Sequence, residues 1–372
     1  MINLFTCVLD NVCYMRHTFK IINMKHTYLI SIIIAALYGC SSTDSKEAFD
    51  FGSFRPIEGT EILEDFELMR AGRIVAMNKG FIFSDYDGEY CLSYCPSDTT
   101  SLPIRIAPVG QGPLEFINTR VIYFNPVDSS LYLYDSQVKR AFLFAIENDS
   151  VVLDKKHLIK DEILSSTMGY DVLPAGKRFV TNGVFDRDMF ALLDSKGKLI
   201  TTFGKYPGDN RGIEEPFSFY AKNNNHITVS PDGSRLMVAG SLNDWVAFYD
   251  LTTEQPTLIR EYFTTDPISQ AKKTDSVTTS LIYNKNDVSH YTDLVPTKNH
   301  VYALYDGRTI GEINNGTRKP KYVLQFDWDG NLTDGYRINE RFVTLAAAPD
   351  DSAIYGVVAM EGDELIIKRY PI

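Results

Sequence analysis

The chain has 372 residues, 48 of them acidic and 37 basic, for a formal charge of −11. An acidic surface of this kind argues against a nucleic-acid partner and against broad adhesion to anionic phospholipid. Of five cysteines, Cys7 and Cys13 lie ahead of the cleavage site expected before Cys40, and the remaining Cys40, Cys91 and Cys95 make no disulfide framework.

The first predicted element is a leader. Lys25–His26–Thr27 is basic and polar, Tyr28 to Leu37 is apolar, and Gly39 is a small residue at the exit. That order is the order of a secretory signal peptide. The apolar run is too short to span a bilayer, which takes about 20 residues. Leu37–Tyr38–Gly39–Cys40 resembles the lipobox of bacterial lipoproteins, with Tyr38 where a small residue is usual. The expectation is cleavage before Cys40 and attachment to a membrane through lipid on that cysteine. Residues 1–39 are then the signal peptide; Met24 lies where such a signal should begin, so residues 1–23 read as an over-called start or an N-terminal extension. The expected location is the cell envelope, as an outer-membrane lipoprotein facing the periplasm or the surface. Removing Arg16, Lys20, Lys25 and Asp10, net +2, leaves −13 on the remainder. Residues 40–69 read as a lipid-anchored tether, opening on the polar stretch Ser41 to Glu47.

From residue 70 onward the pattern is strands. Short runs of Val, Ile, Tyr, Phe and Thr are divided by clusters of Asp, Asn, Gly, Pro and Ser. A unit of strand, proline-led turn and strand recurs, with the turn proline at 126, 174, 231, 296 and 349. Proline suits the first corner of a turn because its φ is fixed, and Asp, Gly or Asn supplies the rest. Arg73 to Met77 and Gly80 to Phe83 form a degenerate sixth unit ahead of these. Asp85–Tyr86–Asp87–Gly88, Asp194–Ser195–Lys196–Gly197 and Asp327–Trp328–Asp329–Gly330 form a second recurring turn, expected in an outer hairpin. Four strands per unit at a period near 50 residues is the mark of a propeller, whose blades number 4–8. The predicted fold is therefore all-β, a six-bladed β-propeller of four-stranded antiparallel blades over residues 70–372, preceded by the lipoprotein signal peptide. Either the strand around Glu61–Leu63 or the last strand, Glu364–Tyr370, is expected to complete a shared blade. Cys91 and Cys95, four apart in one strand, would stand about 13 Å from each other. A disulfide needs Cα atoms within about 7 Å, so both read as buried thiols.

Gly110–Gln111–Gly112–Pro113–Leu114–Glu115–Phe116 resembles the Gly-x-Gly-Pro-Gly-Glu-Phe/Tyr signature of the six-bladed β-propeller lipoproteins of Bacteroidetes, often filed as TolB-like or NHL-like propellers, with Leu114 in place of a glycine. Tyr134–Asp135 and Lys139 to Phe144 are similar to the second blade of that family. The resemblance implies fold and location; the family has no settled activity and carries over no catalytic residue. TolB itself has an additional N-terminal α/β domain, for which residues 41–69 are too few.

Chemistry is sparse. The glycine pair at 110 and 112 lacks the third glycine and helix start of a dinucleotide loop, so it reads as a crossover between blades. His-Glu-x-x-His and Gly-x-Ser-x-Gly are both missing. His157, His226, His290 and His300 are scattered, and no catalytic residue and no metal ligand is assigned. Asp85/Asp87 and Asp327/Asp329 alternate oxygens as calcium requires, without the full ligand set of an EF-hand. Lys196 in the third copy makes a turn role sufficient, so no cofactor is assigned, and a central calcium held by scattered side chains stays open.

Two segments escape the repeat. One runs from Gly204 to Tyr220 and offers Tyr206, Asp209, Arg211, Glu214 and Glu215 for stacking and hydrogen bonding to a ligand. The other is Thr264 to His290, with Lys272, Lys273, Lys285 and Asn286. The resulting expectation is a binding or scaffold module for a protein, peptide or glycan partner. The alternative is a hydrolase or lyase with a metal in the central channel, which requires three or four Asp, Asn, Glu or His side chains at one channel mouth.

Overall fold

A computed structural model describes residues 48–63, 68, 72–84, 88–96, 103–147, 150–155, 168–208, 216–273, 279–361 and 364–372. Two short strands come first, β1 (Arg55–Pro56) and β2 (Thr60–Ile62), and six sheets follow. Blade 1 comprises β3 (Ile74–Met77), β4 (Gly80–Ser84), β5 (Tyr90–Cys95) and β6 (Ile104–Pro108). In blade 2 the strands are β7 (Thr119–Asn125), β8 (Ser130–Asp135), β9 (Arg140–Glu147) and β10 (Ser150–Lys155). Blade 3 takes β11 (Met168–Ala175), β12 (Arg178–Phe185), β13 (Asp188–Leu193) and β14 (Leu199–Lys205). Helix α1 (Pro216–Lys222) leads to blade 4, which holds β15 (Asn225–Val229), β16 (Arg235–Gly240), β17 (Val246–Asp250) and β18 (Thr257–Tyr262). A separate hairpin, β19 (Gln270–Lys273) and β20 (Thr279–Ile282), precedes blade 5. That blade has β21 (Tyr291–Pro296) and β22 (His300–Tyr305), then helix α2 (Ile310–Asn314), β23 (Lys321–Asp327) and β24 (Leu332–Ile338). Blade 6 consists of β25 (Phe342–Ala347), β26 (Ala353–Ala359) and β27 (Leu365–Pro371), with β2 as its outermost strand.

The first strands of the six blades touch in a closed cycle, β3 to β7, β11, β15, β21, β25 and back to β3. This is a six-bladed propeller, and the inner strands wall its channel. Second strands are pressed between neighbouring blades and are buried on both faces, so they read as continuous apolar runs. Leu131–Tyr134, Leu236–Ala239 and Val301–Leu304 are all essentially inaccessible. Outer strands face water: all but the last residue of β18 are exposed. Large aromatics fill the wedges between blades. Between blades 3 and 4, Phe190 stacks on Trp245 with ring centres 6.5 Å apart, and the Trp245 indole donates to Glu261 at 2.7 Å.

Closure uses both expected strands at once. β27 is the third strand of blade 6, and β2 pairs beside it, Thr60 opposite Arg369 and Ile62 opposite Ile367. The sequence reading starts the propeller at residue 70, but residues 49–62 already lie on it. Phe49 packs against Tyr262 and Phe326, and Phe51 stacks on Tyr305 at 4.4 Å. Phe54 is buried, and β1 adds a parallel strand to blade 5. Arg55 lies over the Tyr336 ring and pairs with Asp334 at 3.1 Å. This N-terminal segment is thus a strap across blades 4, 5 and 6. Cys91 and Cys95 are both buried thiols, as the sequence reading expects.

Candidate functional site

The antiparallel order decides which connections share an end of the channel. Links between first and second strands, and between third and fourth, lie at one end. Links between second and third strands, and from blade to blade, lie at the other. The first is a turn end. All five turn prolines are there, and three of the turns use one device. Asp128, Asp232 and Asp350 each accept the backbone N–H of the serine two residues on, at 2.9–3.1 Å. Asp194 and Asp327 organise the third-to-fourth turns of blades 3 and 5, each accepting the N–H groups two and four residues on at 2.8–3.1 Å. The carboxylates therefore hold turns. The third copy, Asp85–Gly88, is a different connection: it joins second to third strand at the opposite end, and its residues 85–87 lie outside the described residues. At the turn end Asp351 also gathers Thr297, Asn299 and Tyr302 at 2.6–3.1 Å, with His300 Nδ1 at 3.1 Å. His300 is thereby placed in a latch between blades 5 and 6. His157 lies outside the described residues.

The channel itself is narrow. A cavity of about 60 Å³, room for a handful of waters, lies among the inner strands of all six blades. Its walls are mostly Ile, Val, Leu and Ala, with Arg73, Asp171 and Asp293 as the charged members. Asp293 is engaged by Thr344 and the Leu345 N–H of the next blade, at 2.9 and 3.2 Å. Among the described residues there is no group of three or more His, Cys, Asp or Glu able to hold a metal ion.

The second end carries the irregular chain. The crossover from blade 1 to blade 2 is the Gly110–Phe116 motif. Phe116 bonds back to Pro108, and Gly110 to Phe116, both through backbone groups. The Glu115 carboxylate accepts the Gly112 N–H at 2.8 Å and lies so close to Gly110 that a Cβ there would meet it at 1.9 Å. Buried Asp135 completes the crossover, accepting N–H groups of Ile117, Asn118, Gln137 and Val138 at 2.5–3.1 Å. The Glu115 carboxylate and the backbone bonds of the loop hold its own turn, so the motif has a structural role.

The two non-repeating segments are neighbouring crossovers at this end, from blade 3 to 4 and from blade 4 to 5. Helix α1 of the first packs on both strands of the β19–β20 hairpin of the second. Lys222 lies 3.3 Å from Asp266, and Gly208 approaches that same carboxylate. Of the predicted ligand residues, Tyr206 is a core residue. It is buried, stacks on Phe219 at 5.3 Å and donates to the Gly183 carbonyl at 3.3 Å. Asp209, Arg211, Glu214 and Glu215 lie outside the described residues, as do Cys40 and the side chains of Lys272 and Lys273. Three apolar side chains of this region, Ile268, Ile282 and Tyr283, are each more than half accessible, beside exposed Thr264, Thr265, Gln270, Lys285 and Asn286. Its root is pinned by two carboxylates, Asp244 receiving Thr264 and Thr265, and Asp287 receiving Ile268 and Ser269. His290 sits below them, buried, with its backbone N–H on the Ser241 carbonyl and its ring at the Tyr305 edge. Burial lowers its pKa to about 4, with Asp244 and Asp287 opposing only in part.

A further site was not anticipated from sequence. Between blades 5 and 6 the same end opens into a cleft of about 780 Å³, within the range of ligand pockets. Its floor holds Asp306 between two cations. Arg308 clasps Asp306 with Nε on Oδ1 at 2.7 Å and Nη2 on Oδ2 at 2.9 Å, and the Lys321 ammonium shares Oδ2. Side-chain exposure is 5% for Asp306, 8% for Lys321 and 22% for Arg308. Burial works against the charged carboxyl of Asp306, but the hydrogen bonds from both cations outweigh it and hold its pKa below the ordinary value. Burial also pulls the Lys321 ammonium downward, offset in part by Asp306. These residues come together from chain positions separated by a helix and loop, with no motif to mark them.

One end made of tight turns and one end built up by crossovers define a propeller that presents a single elaborated face. The family described as TolB-like 6-blade propeller-like matches residues 100–346, and the chain belongs to that family. Two solved structures from Bacteroides share the fold. One, a candidate exported protein of Bacteroides fragilis NCTC 9343, is 11% identical with a TM-score of 0.50, covering 86% of this chain and 94% of that one. The other, a member of the DUF4221 family from Bacteroides vulgatus ATCC 8482, is 11% identical with a TM-score of 0.50, covering 85% and 95%. No curated protein matches the chain.

Proposed function

We propose that this protein is a binding module of the bacterial cell envelope, held to a membrane by lipid on Cys40, that engages a protein, peptide or glycan through the crossover end of its propeller. The observation that carries the binding reading is the asymmetry of the disc. Helix α1, hairpin β19–β20, helix α2 and the large cleft are all at one end, and the other holds short turns. A rigid scaffold that positions long loops on one face is the usual arrangement for recognition. Support for the envelope location comes from the signal-like residues 25–40 and from the fold shared with a candidate exported Bacteroides protein.

On this reading the anchor is short. The strap joins the propeller at Phe49, so residues 41–48 alone separate it from the lipid, and at roughly 3.5 Å each they reach at most about 28 Å. The edge formed by blades 4 and 5, where Phe49 and Phe51 dock, would face the membrane. The test is fractionation beside affinity capture. The wild-type protein should partition with membranes and a Cys40→Ser precursor should not. A tagged protein should enrich one partner from solubilised envelopes. Unchanged membrane partition of Cys40→Ser would reject the anchor, and capture of nothing above a Cys40-lipidated unrelated control would reject the binding role.

A further inference from the structure

We propose that the cleft between blades 5 and 6 binds the carboxylate of an acidic ligand with an aliphatic body, received by Arg308 on the floor and Arg318 at the rim. The inference deepens the binding reading above and rests on it. Its basis is the charge of the cleft. Arg308 and Lys321 share Asp306 on the floor, while Glu312 acts on Arg308 and pairs with Lys319. Along the lining, Arg308, Arg318, Lys319, Lys321 and Arg341 outnumber Asp306, Glu340 and Glu361, although the whole chain carries −11, so an anion entering the cleft meets an excess of cations.

Blade 2 shows what the propeller needs at this position and what it does not. There too an aspartate closes the second strand opposite a basic residue that opens the third, Asp135 facing Arg140. In blade 2 both groups turn to the backbone of the crossover, Asp135 accepting four N–H groups and Arg140 donating to the Gly112 carbonyl at 3.0 Å, with no second cation on the aspartate. In blade 5 Asp306 and Lys321 form the corresponding pair, and Arg308 is an addition. Arg308 has five N–H groups, of which two go to Asp306 and one to the Thr317 carbonyl, so two remain to donate. Arg318, 72% exposed at the side chain, has among the described residues one loose ionic neighbour, Glu361 at 3.8 Å. The walls add Val343 and Met360, 38% and 40% accessible, while Phe342 is buried. An aliphatic wall without an open aromatic ring suits a hydrocarbon body better than a stacked sugar.

A free carboxylic acid and an acidic peptide segment present the same chemistry, and the experiment separates them. Calorimetry on the full-length protein in detergent compares octanoate with octanamide, and acetyl-Val-Glu-Val-Glu-amide with its Gln counterpart. At least one acid should bind with one-to-one stoichiometry, and its neutral partner about tenfold or more weaker. Arg308→Gln should weaken that binding by about tenfold. Arg318→Gln, on an exposed rim where folding is not at stake, should weaken it about threefold and reduce its salt dependence. Binding of octanoate or of the peptide identifies the source. Binding of neither acid, equal binding of acid and neutral partner, or unchanged affinity in both variants overturns the proposal. If an envelope partner is still captured by Arg318→Gln while no acid binds, the cleft claim has failed and the binding role has not.

Discussion

Lys222 on helix α1 and Asp266 ahead of the β19–β20 hairpin approach to 3.3 Å, tying the crossover after blade 3 to the crossover after blade 4. The Asp266 side chain is about a third exposed, so the pair is worth about 1 kcal/mol or less. Asp266→Ala should therefore leave global stability within about 1 kcal/mol while speeding amide exchange in α1. Gly208→Val is the sharper change. Gly208 has φ +73°, and a Cβ there would meet the Asp266 carboxylate at 2.0 Å. Strain and displacement together should cost about 1–3 kcal/mol in denaturant unfolding.

Asp135 is the strongest single support of the blade 1 to blade 2 crossover. Asp135→Ala leaves four part-buried backbone N–H groups without the buried carboxylate that accepts them. The expected loss is about 3–5 kcal/mol, read from urea unfolding. Glu115→Ala removes one acceptor from a half-buried loop and should cost only about 1 kcal/mol.

His290 gives stability a distinct acid limb. Its folded pKa is about 4 against an ordinary 6.5, so below pH 6.5 the unfolded chain takes up a proton that the folded one refuses. Stability therefore falls as pH drops from about 6.5 to about 4 and levels off beneath, by on the order of 3 kcal/mol. Asp244 and Asp287 face the imidazole and Tyr305 lies at its edge. His290→Gln separates the contributions. Between pH 7 and 5 its melting temperature should fall less than that of the wild type, and parallel declines would remove His290 from the account.

The N-terminal strap should be required for ring closure. A chain beginning at Glu64 lacks β2, the outer strand of blade 6, and the aromatic contacts of Phe49, Phe51 and Phe54. It should lose cooperative unfolding or melt well below the full chain. A chain beginning at Glu47 keeps all of these and should melt as the full chain does. Phe49→Ala alone should cost about 3 kcal/mol, near the lower end for truncating a buried aromatic.

Much of the fold could be read from local pattern, because propeller turns are local devices. Pro126, Pro231 and Pro349 mark turns whose aspartate and serine lie within a few residues. The Gly110–Phe116 loop is equally self-contained. Asp85–Gly88 misled for the same reason: an Asp-x-x-Gly turn looks alike whichever end of the blade it occupies. The strap was missed because residues 48–54 look like a continuation of a polar tether, although Phe49, Phe51 and Phe54 so close together were an available signal. Tyr206 drew attention as an aromatic in an irregular loop, and only packing against Phe219 shows it to be core. The cleft could not be read at all. Asp306, Arg308 and Lys321 are ordinary charges in sequence, and Arg341 and Met360 join them only after blade 6 folds alongside.

The central claim is that recognition belongs to the crossover end. A photo-crosslinking side chain placed at Tyr283, 58% exposed at that end, is compared with one at Val127, 65% exposed at the turn end. Both sites are open, so reach alone does not bias the result. After irradiation of intact envelopes, Tyr283 should give a discrete adduct and Val127 none. An adduct from Val127 with none from Tyr283 would place recognition on the opposite face and contradict the account.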